Sequence, residues 1–142
     1  MSFDPATFFA ALDGYGHVST LGLSYRSHGP NWCELTLPWR DDLVGDELRG
    51  TIASGAVLTL LDMTSGMAIW TRLGRFAAVA TLDLRLDYLR AAAPGAAIIA
   101  KVECYRLSRD VCFVRGLAHD GDPADPVAHC AGSFMFLKRN AA

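Results

Sequence analysis

The chain has 142 residues, of which 51% are hydrophobic and 20% charged, with a formal net charge of −2. That balance excludes an intrinsically disordered chain, which needs low hydrophobicity and high net charge. With 13 Lys and Arg against 15 Asp and Glu, it also argues against a broad basic face for nucleic acid. A chain of this length fits one domain spanning residues 1–142, able to bury roughly two-thirds of its unfolded surface.

Targeting and redox signals are few. The most apolar stretch, residues 55–70, is shorter than a membrane span and carries Asp62 at its middle. The first residues, MSFDPATFFAALDGYG, lack a basic start, a long apolar run and a small-residue cleavage site. Cys33, Cys104, Cys112 and Cys130 form no CxxC pair and fall in strand-like runs, so they read as buried free thiols suited to a reducing compartment. The four histidines show no zinc-ligand spacing. The expectation is a cytoplasmic chain with no metal and no membrane partner.

In chain order, Asp4-Pro5 opens a short helix that turns Phe8, Phe9 and Leu12 inward and stops at Gly14 and Gly16. A strand is expected over residues 18–26, a turn over 27–30, and a second strand over 31–39. In that second strand Cys33, Leu35, Leu37 and Trp39 alternate with polar residues, and the two strands read as a hairpin. Residues 40–51 fit neither period and read as a long loop, a length often associated with function. Over residues 55–72 the period is helical. Val57, Leu60, Leu61, Thr64 and Ala68 form an apolar face, and Thr59, Asp62, Ser65 and Gly66 a small polar one.

Beyond Gly74 the period falls to two, with Leu82, Leu84, Leu86 and Tyr88 alternating with Thr81, Asp83, Arg85 and Asp87. Pro94-Gly95 is a turn. Strands over 96–107, 111–119 and 127–137 follow, joined by connections short enough for antiparallel neighbours. The order of one helix, two strands, a central helix and four strands predicts an α+β fold, with the helix lying across a curved antiparallel sheet.

Two features of the central helix carry chemistry. Asp62 lies in the second turn among apolar residues, where a carboxylate must find partners or face a cavity. Ala53-Ser54-Gly55-Ala56 opens the same helix with small residues that leave its first N–H groups accessible, a setting that suits an anion or a developing oxyanion. Ser54 reads first as the N-cap. Gly55 and Asp62 are seven residues apart, nearly two turns, and so share one face about 10 Å apart along the axis.

The run LVGDELRGTIASGAVLTLLDMTSGMA, followed by VATLDLRLDYLRAAAPG, resembles the hotdog-fold acyl-CoA thioesterases of the phenylacetic-acid-degradation type. In those proteins a long loop leads into a helix that begins His-Gly-Gly and carries an acidic residue two turns on. A strand ending Tyr-Leu-Arg and a Pro/Gly turn follow. The resemblance extends over residues 43–136. It implies hydrolysis of an acyl-CoA, with coenzyme A as part of the substrate and no separate cofactor. By the same resemblance Gly55 polarises the thioester carbonyl, Asp62 is the general base or nucleophile, and Thr81 orients the attacking water. Ser54 is the substrate-binding candidate that offers a hydroxyl in place of the family's histidine. Arg90 and Arg109 are the candidate partners for coenzyme A phosphates, their plain alternative being solvated turn arginines. The resemblance also implies a homodimer, pairing further into a tetramer, in which Gly55 of one subunit faces Asp62 and Thr81 of the other.

The chain departs from that pattern at Ala53 and Ser54, which replace His-Gly. The alternative is therefore a non-catalytic hotdog domain that binds acyl-CoA or an acyl ligand. Hydrolysis of a carrier-protein thioester is a further option, one that the lack of a strong basic patch counts against. The dehydratase relatives need a His five residues after the Asp, where this chain has Met67. Trp32, Trp39, Trp70 and Tyr88 read as core residues before they read as the lining of an acyl pocket.

Overall fold

The computed structural model describes residues 3–137. The chain opens with helix α1 (Pro5–Ala10), where Asp4 accepts the N–H groups of Ala6 and Thr7 and Pro5 occupies the first turn. Helix α2 (Gly16–Leu21) follows. Strands β1 (Ser24–His28) and β2 (Trp32–Leu37) then form the expected antiparallel hairpin. A 3-10 turn (Asp41–Leu43) leads to two short paired strands, β3 (Val44–Asp46) and β4 (Thr51–Ile52). The long helix α3 (Ser54–Leu73) comes next, and four strands complete the chain: β5 (Val79–Tyr88), β6 (Ile98–Leu107), β7 (Val111–His119) and β8 (Ala128–Phe136).

Six strands make one antiparallel sheet in the order β1-β2-β6-β7-β8-β5. Helix α3 lies against β2, β6 and β7 at its middle. Val57, Leu60, Leu61, Thr64 and Ala68 are all buried there, as their spacing predicts. This is the hotdog arrangement, a sheet curved around one long helix. Leu60 is fully buried, and truncating such a side chain to Ala costs about 2–5 kcal/mol.

The structure corrects three local expectations. Residues 18–21, expected as strand, belong to α2: Val18 and Leu21 turn one helical face to the core, and Gly22 ends the helix in the left-handed region at φ 72°. The loop of residues 40–51 contains the β3–β4 ladder, pinned by the Trp39 indole N–H donating to the Gly50 carbonyl at 2.9 Å. Ser65 and Gly66, placed on a polar face by their type, are buried. The Ser65 hydroxyl is satisfied within the helix by the Leu61 carbonyl at 2.7 Å. The curved sheet thus covers a wider arc of α3 than one apolar stripe marks.

Candidate functional site

The site is built from the first three turns of α3 and the edge strand β5. The residue that caps α3 is Ala53, with no side-chain bond to the helix end, and Ser54 is the first helical residue rather than the cap. The reason is backbone position: Ala53 N–H is held by the Leu43 carbonyl at 2.8 Å, which sets Ala53 as the last extended residue. Ala56 N–H already turns back to the Ala53 carbonyl at 3.1 Å. Gly55 is exposed, with open space where a side chain would stand. Its N–H belongs to the first turn, which has no intrahelical acceptor, and it lies at the positive end of the helix dipole.

Asp62 is half-buried on the same helical face. The Thr81 hydroxyl donates to its Oδ1 at 2.8 Å, so the two residues singled out from separate parts of the sequence meet. Strict alternation along β5 would turn Thr81 away from the helix, with Asp83 and Arg85. A register shift between Thr81 and Asp83, in the pairing of β5 with β8, adds one residue and reverses the phase. Thr81 consequently faces α3 while Leu84 and Leu86 still pack inward further on. Gly132 sits opposite Leu84, and a side chain there would press within 2.6 Å of the Asp83 carbonyl, so the bulge needs a bare backbone beside it. Leu82, the inserted residue, is 54% exposed rather than in the core. Asp62 and Thr81 open into a cavity of about 560 Å³ shared with His17, Leu58, Thr59 and Asp83.

At the start of α3 the Tyr88 hydroxyl donates to the Ser54 carbonyl at 3.0 Å. A second cavity of about 320 Å³ there is lined by Ser54, Val57, Tyr88 and Arg90. Arg90, however, is committed to protein partners. Its two terminal nitrogens reach Asp120 at 2.8 and 2.6 Å, one of them also reaches the Asp125 carbonyl at 2.7 Å, and its Nε lies 3.2 Å from the Asp125 carboxylate. The Arg90 guanidinium holds the Asp120 carboxyl far below the usual carboxylate range.

Arg109 is exposed in the β6–β7 turn. It borders a cavity of about 850 Å³ with Leu73, Arg75, Phe76 and Leu137, at the far end of α3. With α3 about 30 Å long, Arg90 and Arg109 stand at opposite ends of the helix and do not share one site within a protomer.

The large aromatics are dispersed as well. Trp39 and Trp70 pack against the core, and the Trp70 indole N–H is bonded to the Ala77 carbonyl at 2.7 Å. Trp32 lies under the Lys101 ammonium. The four cysteines are buried and unpaired, and burial pushes the thiols of Cys112 and Cys130 up to about 11 and that of Cys33 to about 12. Among the described residues no three His, Cys, Asp or Glu side chains cluster as a metal site, and no helix is long and apolar enough to cross a membrane.

Sequence reasoning missed His17 beside Asp62, because residues 18–26 read as strand. Gly22, a helix-ending glycine one residue past Leu21, was the available signal for α2.

Comparison with known proteins agrees with this arrangement. A protein of Pseudomonas aeruginosa of known structure is 35% identical to this chain and aligns over 94% of it and 96% of its own length, with a TM-score of 0.80. The phenylacetic acid degradation protein of Thermus thermophilus, in a single-residue mutant form, is 26% identical over 84% of this chain and 97% of its own, with a TM-score of 0.72. A thioesterase of Haemophilus influenzae is only 16% identical yet superposes over all of this chain and 97% of its own at a TM-score of 0.85, a likeness of fold. A curated protein of Halobacterium salinarum, whose name proposes an esterase, is 32% identical over 84 residues, and the match spans 57% of this chain and 56% of that relative's length. The model of the thioesterase superfamily matches residues 49–127, from the loop before α3 through the segment leading into β8. That match takes in the start of α3, Asp62 and Thr81 and covers more than half of the chain, which therefore belongs to the thioesterase superfamily.

Proposed function

We propose that this protein hydrolyses an acyl-CoA thioester to the free acid and coenzyme A. The observation that carries the proposal is the Thr81–Asp62 hydrogen bond of 2.8 Å at an open cavity, on the same helical face as an uncapped N-terminus. Thioester hydrolysis needs a base or nucleophile, a donor for the oxyanion and a cleft that limits bulk water. In this reading Thr81 fixes one oxygen of Asp62, and the other takes a proton from water. The water oxygen adds to the thioester carbon, and the carbonyl oxygen, now anionic, rests on the Gly55 N–H. When the C–S bond breaks, the sulfur leaves with the electron pair as thiolate. The proton held by Asp62 then passes to it or to solvent. The match to the thioesterase superfamily, the likeness to a phenylacetic acid degradation protein and the likeness to a relative whose name proposes an esterase support the same class.

One chain does not supply a whole site. A reacting carbon must lie about 3 Å from both groups, whereas Gly55 and Asp62 are separated by about 10 Å along one helix. The midpoint between them falls at Leu58 and Thr59, and Leu58 is 43% exposed. A twofold axis at that point lays two α3 helices antiparallel and sets Gly55 of one protomer beside Asp62 of its partner. It also covers Leu58, and β5 ends the sheet with an edge free for pairing. The working unit proposed is a homodimer with two sites, acting in the cytoplasm, with association of dimers into a tetramer as a further step.

The test is release of free thiol from short, medium, long and phenylacetyl-CoA by the wild type and by Asp62→Asn, with sedimentation of both. Turnover by a dimer that falls by orders of magnitude in the variant supports the reading. A monomer at micromolar concentration removes the two-subunit site. Tight acyl-CoA binding with no turnover by either protein favours a binding module instead, the reading that Ala53 in place of His motivates.

A further inference from the structure

Tyr88 is the last residue of the edge strand β5, 34 residues from Ser54 in sequence, yet its hydroxyl donates to the carbonyl of Ser54 at 3.0 Å. The Ser54 carbonyl and the Gly55 N–H are the two ends of one peptide unit, planar and stiff. A donor placed on the carbonyl end polarises the whole amide and strengthens its N–H as a donor at the other end. It also fixes the direction in which that N–H points. The N-cap residue Ala53 makes no side-chain bond to this helix end. The Thr59 hydroxyl donates to the Gly55 carbonyl at 3.0 Å, one peptide further on, and Tyr88 is the side chain bonded to the 54–55 peptide among the described residues. We propose that Tyr88 is a positioning residue, which orients and polarises the 54–55 peptide so that Gly55 N–H presents a fixed, strengthened donor to the thioester oxygen.

This rests on the assignment of Gly55 as the oxyanion donor. Preorganised donors act on charge that develops in the transition state, and their orientation cost is met during folding. Tyr88 is suited to the task. It lines the smaller cavity with Ser54 and Val57, and burial pushes its phenol above the ordinary value, so the hydroxyl stays protonated through the neutral and mildly alkaline range. Strand β5 therefore touches both halves of the chemistry, holding Asp62 through Thr81 and the donor peptide through Tyr88.

The experiment compares Tyr88→Phe with a protein carrying 4-aminophenylalanine at position 88, which keeps the ring and restores an N–H donor. Tyr88→Phe is expected to lower kcat about fivefold to tenfold with KM within about twofold, the scale of one neutral hydrogen bond. The amino analogue is expected to recover most of that loss. In parallel, the carbonyl stretch of a bound, 13C-labelled thioester is read by difference infrared in Asp62→Asn, where the ester survives, and in the double variant with Tyr88→Phe. A shift to lower frequency in Asp62→Asn that shrinks in the double variant supports the proposal. Equal shifts in both, or a kcat that follows the ring rather than the donor, overturn it. No shift in Asp62→Asn itself removes Gly55 as the donor, a different failure from that of Tyr88.

Discussion

Asp62 and Asp120 are both carboxylates placed against the main body of the fold, and their surroundings differ in one respect. Asp120 is saturated: Arg90 supplies two charged donors, the Ala93 N–H a third at 2.7 Å, and its side chain is 8% exposed. Asp62 receives one hydroxyl, from Thr81, and keeps its remaining lone pairs toward a cavity. A carboxylate whose acceptor sites are filled by its own chain has nothing left for a water or a substrate, and it serves the fold. One that is held by a single neutral donor has a fixed orientation and free capacity, which is what proton transfer requires. Residue type does not distinguish the two; their partners do.

Exchanging each for its amide should separate the roles. Asp62→Asn is expected to lower kcat by about 10²–10⁴ while the melting temperature stays within a degree or two, because no charged partner is orphaned. Asp120→Asn is expected to do the reverse. It leaves Arg90, 30% exposed, facing a weak acceptor, at a cost of about 2 kcal/mol of stability with kcat close to wild type. The pH dependence has a defined sign. Arg90 depresses the Asp120 carboxyl on folding, so the stability it contributes is complete above the unfolded value of about 3.9. That stability is lost as the pH falls from there through the folded value. Denaturant midpoints measured between pH 6 and pH 2.5 should converge for wild type and Asp120→Asn toward the acid end. Parallel curves would show that the ion pair contributes nothing.

Thr81 sharpens the comparison from the other side. Thr81→Val keeps the β-branched shape and removes the one donor to Asp62, and the expected loss in kcat is about tenfold with little change in stability. Thr81→Ser, which retains the hydroxyl, should recover most of it. An unchanged kcat in the Val variant would mean that Asp62 needs no orientation from β5.

This pair also marks what was legible in the sequence. The α+β order, the apolar stripe of α3 and the three long strands that follow β5 are carried by repeated local periods, and the structure keeps them. Asp62 was legible as an anomaly, a charge in an apolar helix. Its meeting with Thr81 was not legible from period, because alternation through Leu82, Leu84 and Leu86 puts Thr81 on the wrong face. The bulge that corrects this depends on the close approach of β8 at Gly132 to Asp83, a contact between residues 49 apart along the chain. The fate of Arg90 was hidden for the same reason. Its partners Asp120 and Asp125 lie in the β7–β8 connection, and nothing around residue 90 announces them. Helix α2 was missed because Val18 and Thr20 favour strands, whereas the packing of Val18 and Leu21 on the core outweighs that preference.

The smallest effect is expected at Arg109, where the two ends of α3 come into contrast. At the N-terminal end the arginine is consumed by acidic neighbours. At the other end Arg75 and Arg109 are exposed beside Phe76 and Leu137, around the largest of the cavities described above. If that cavity receives the phosphates of coenzyme A bound across a dimer, Arg109→Ala removes one solvent-exposed ionic contact. Such contacts are worth about 0.2–1 kcal/mol, so KM should rise by about twofold to fivefold at low salt with kcat unchanged. Screening makes the diagnostic sharper than the magnitude, because at 0.5 M salt the Debye length falls to about 4 Å and the difference between variant and wild type should shrink. A KM that ignores both the substitution and the salt would leave Arg109 a solvated turn residue. If coenzyme A is the substrate, Arg75, exposed at the same cavity, would be the next candidate for its phosphates, because Arg90 is already occupied.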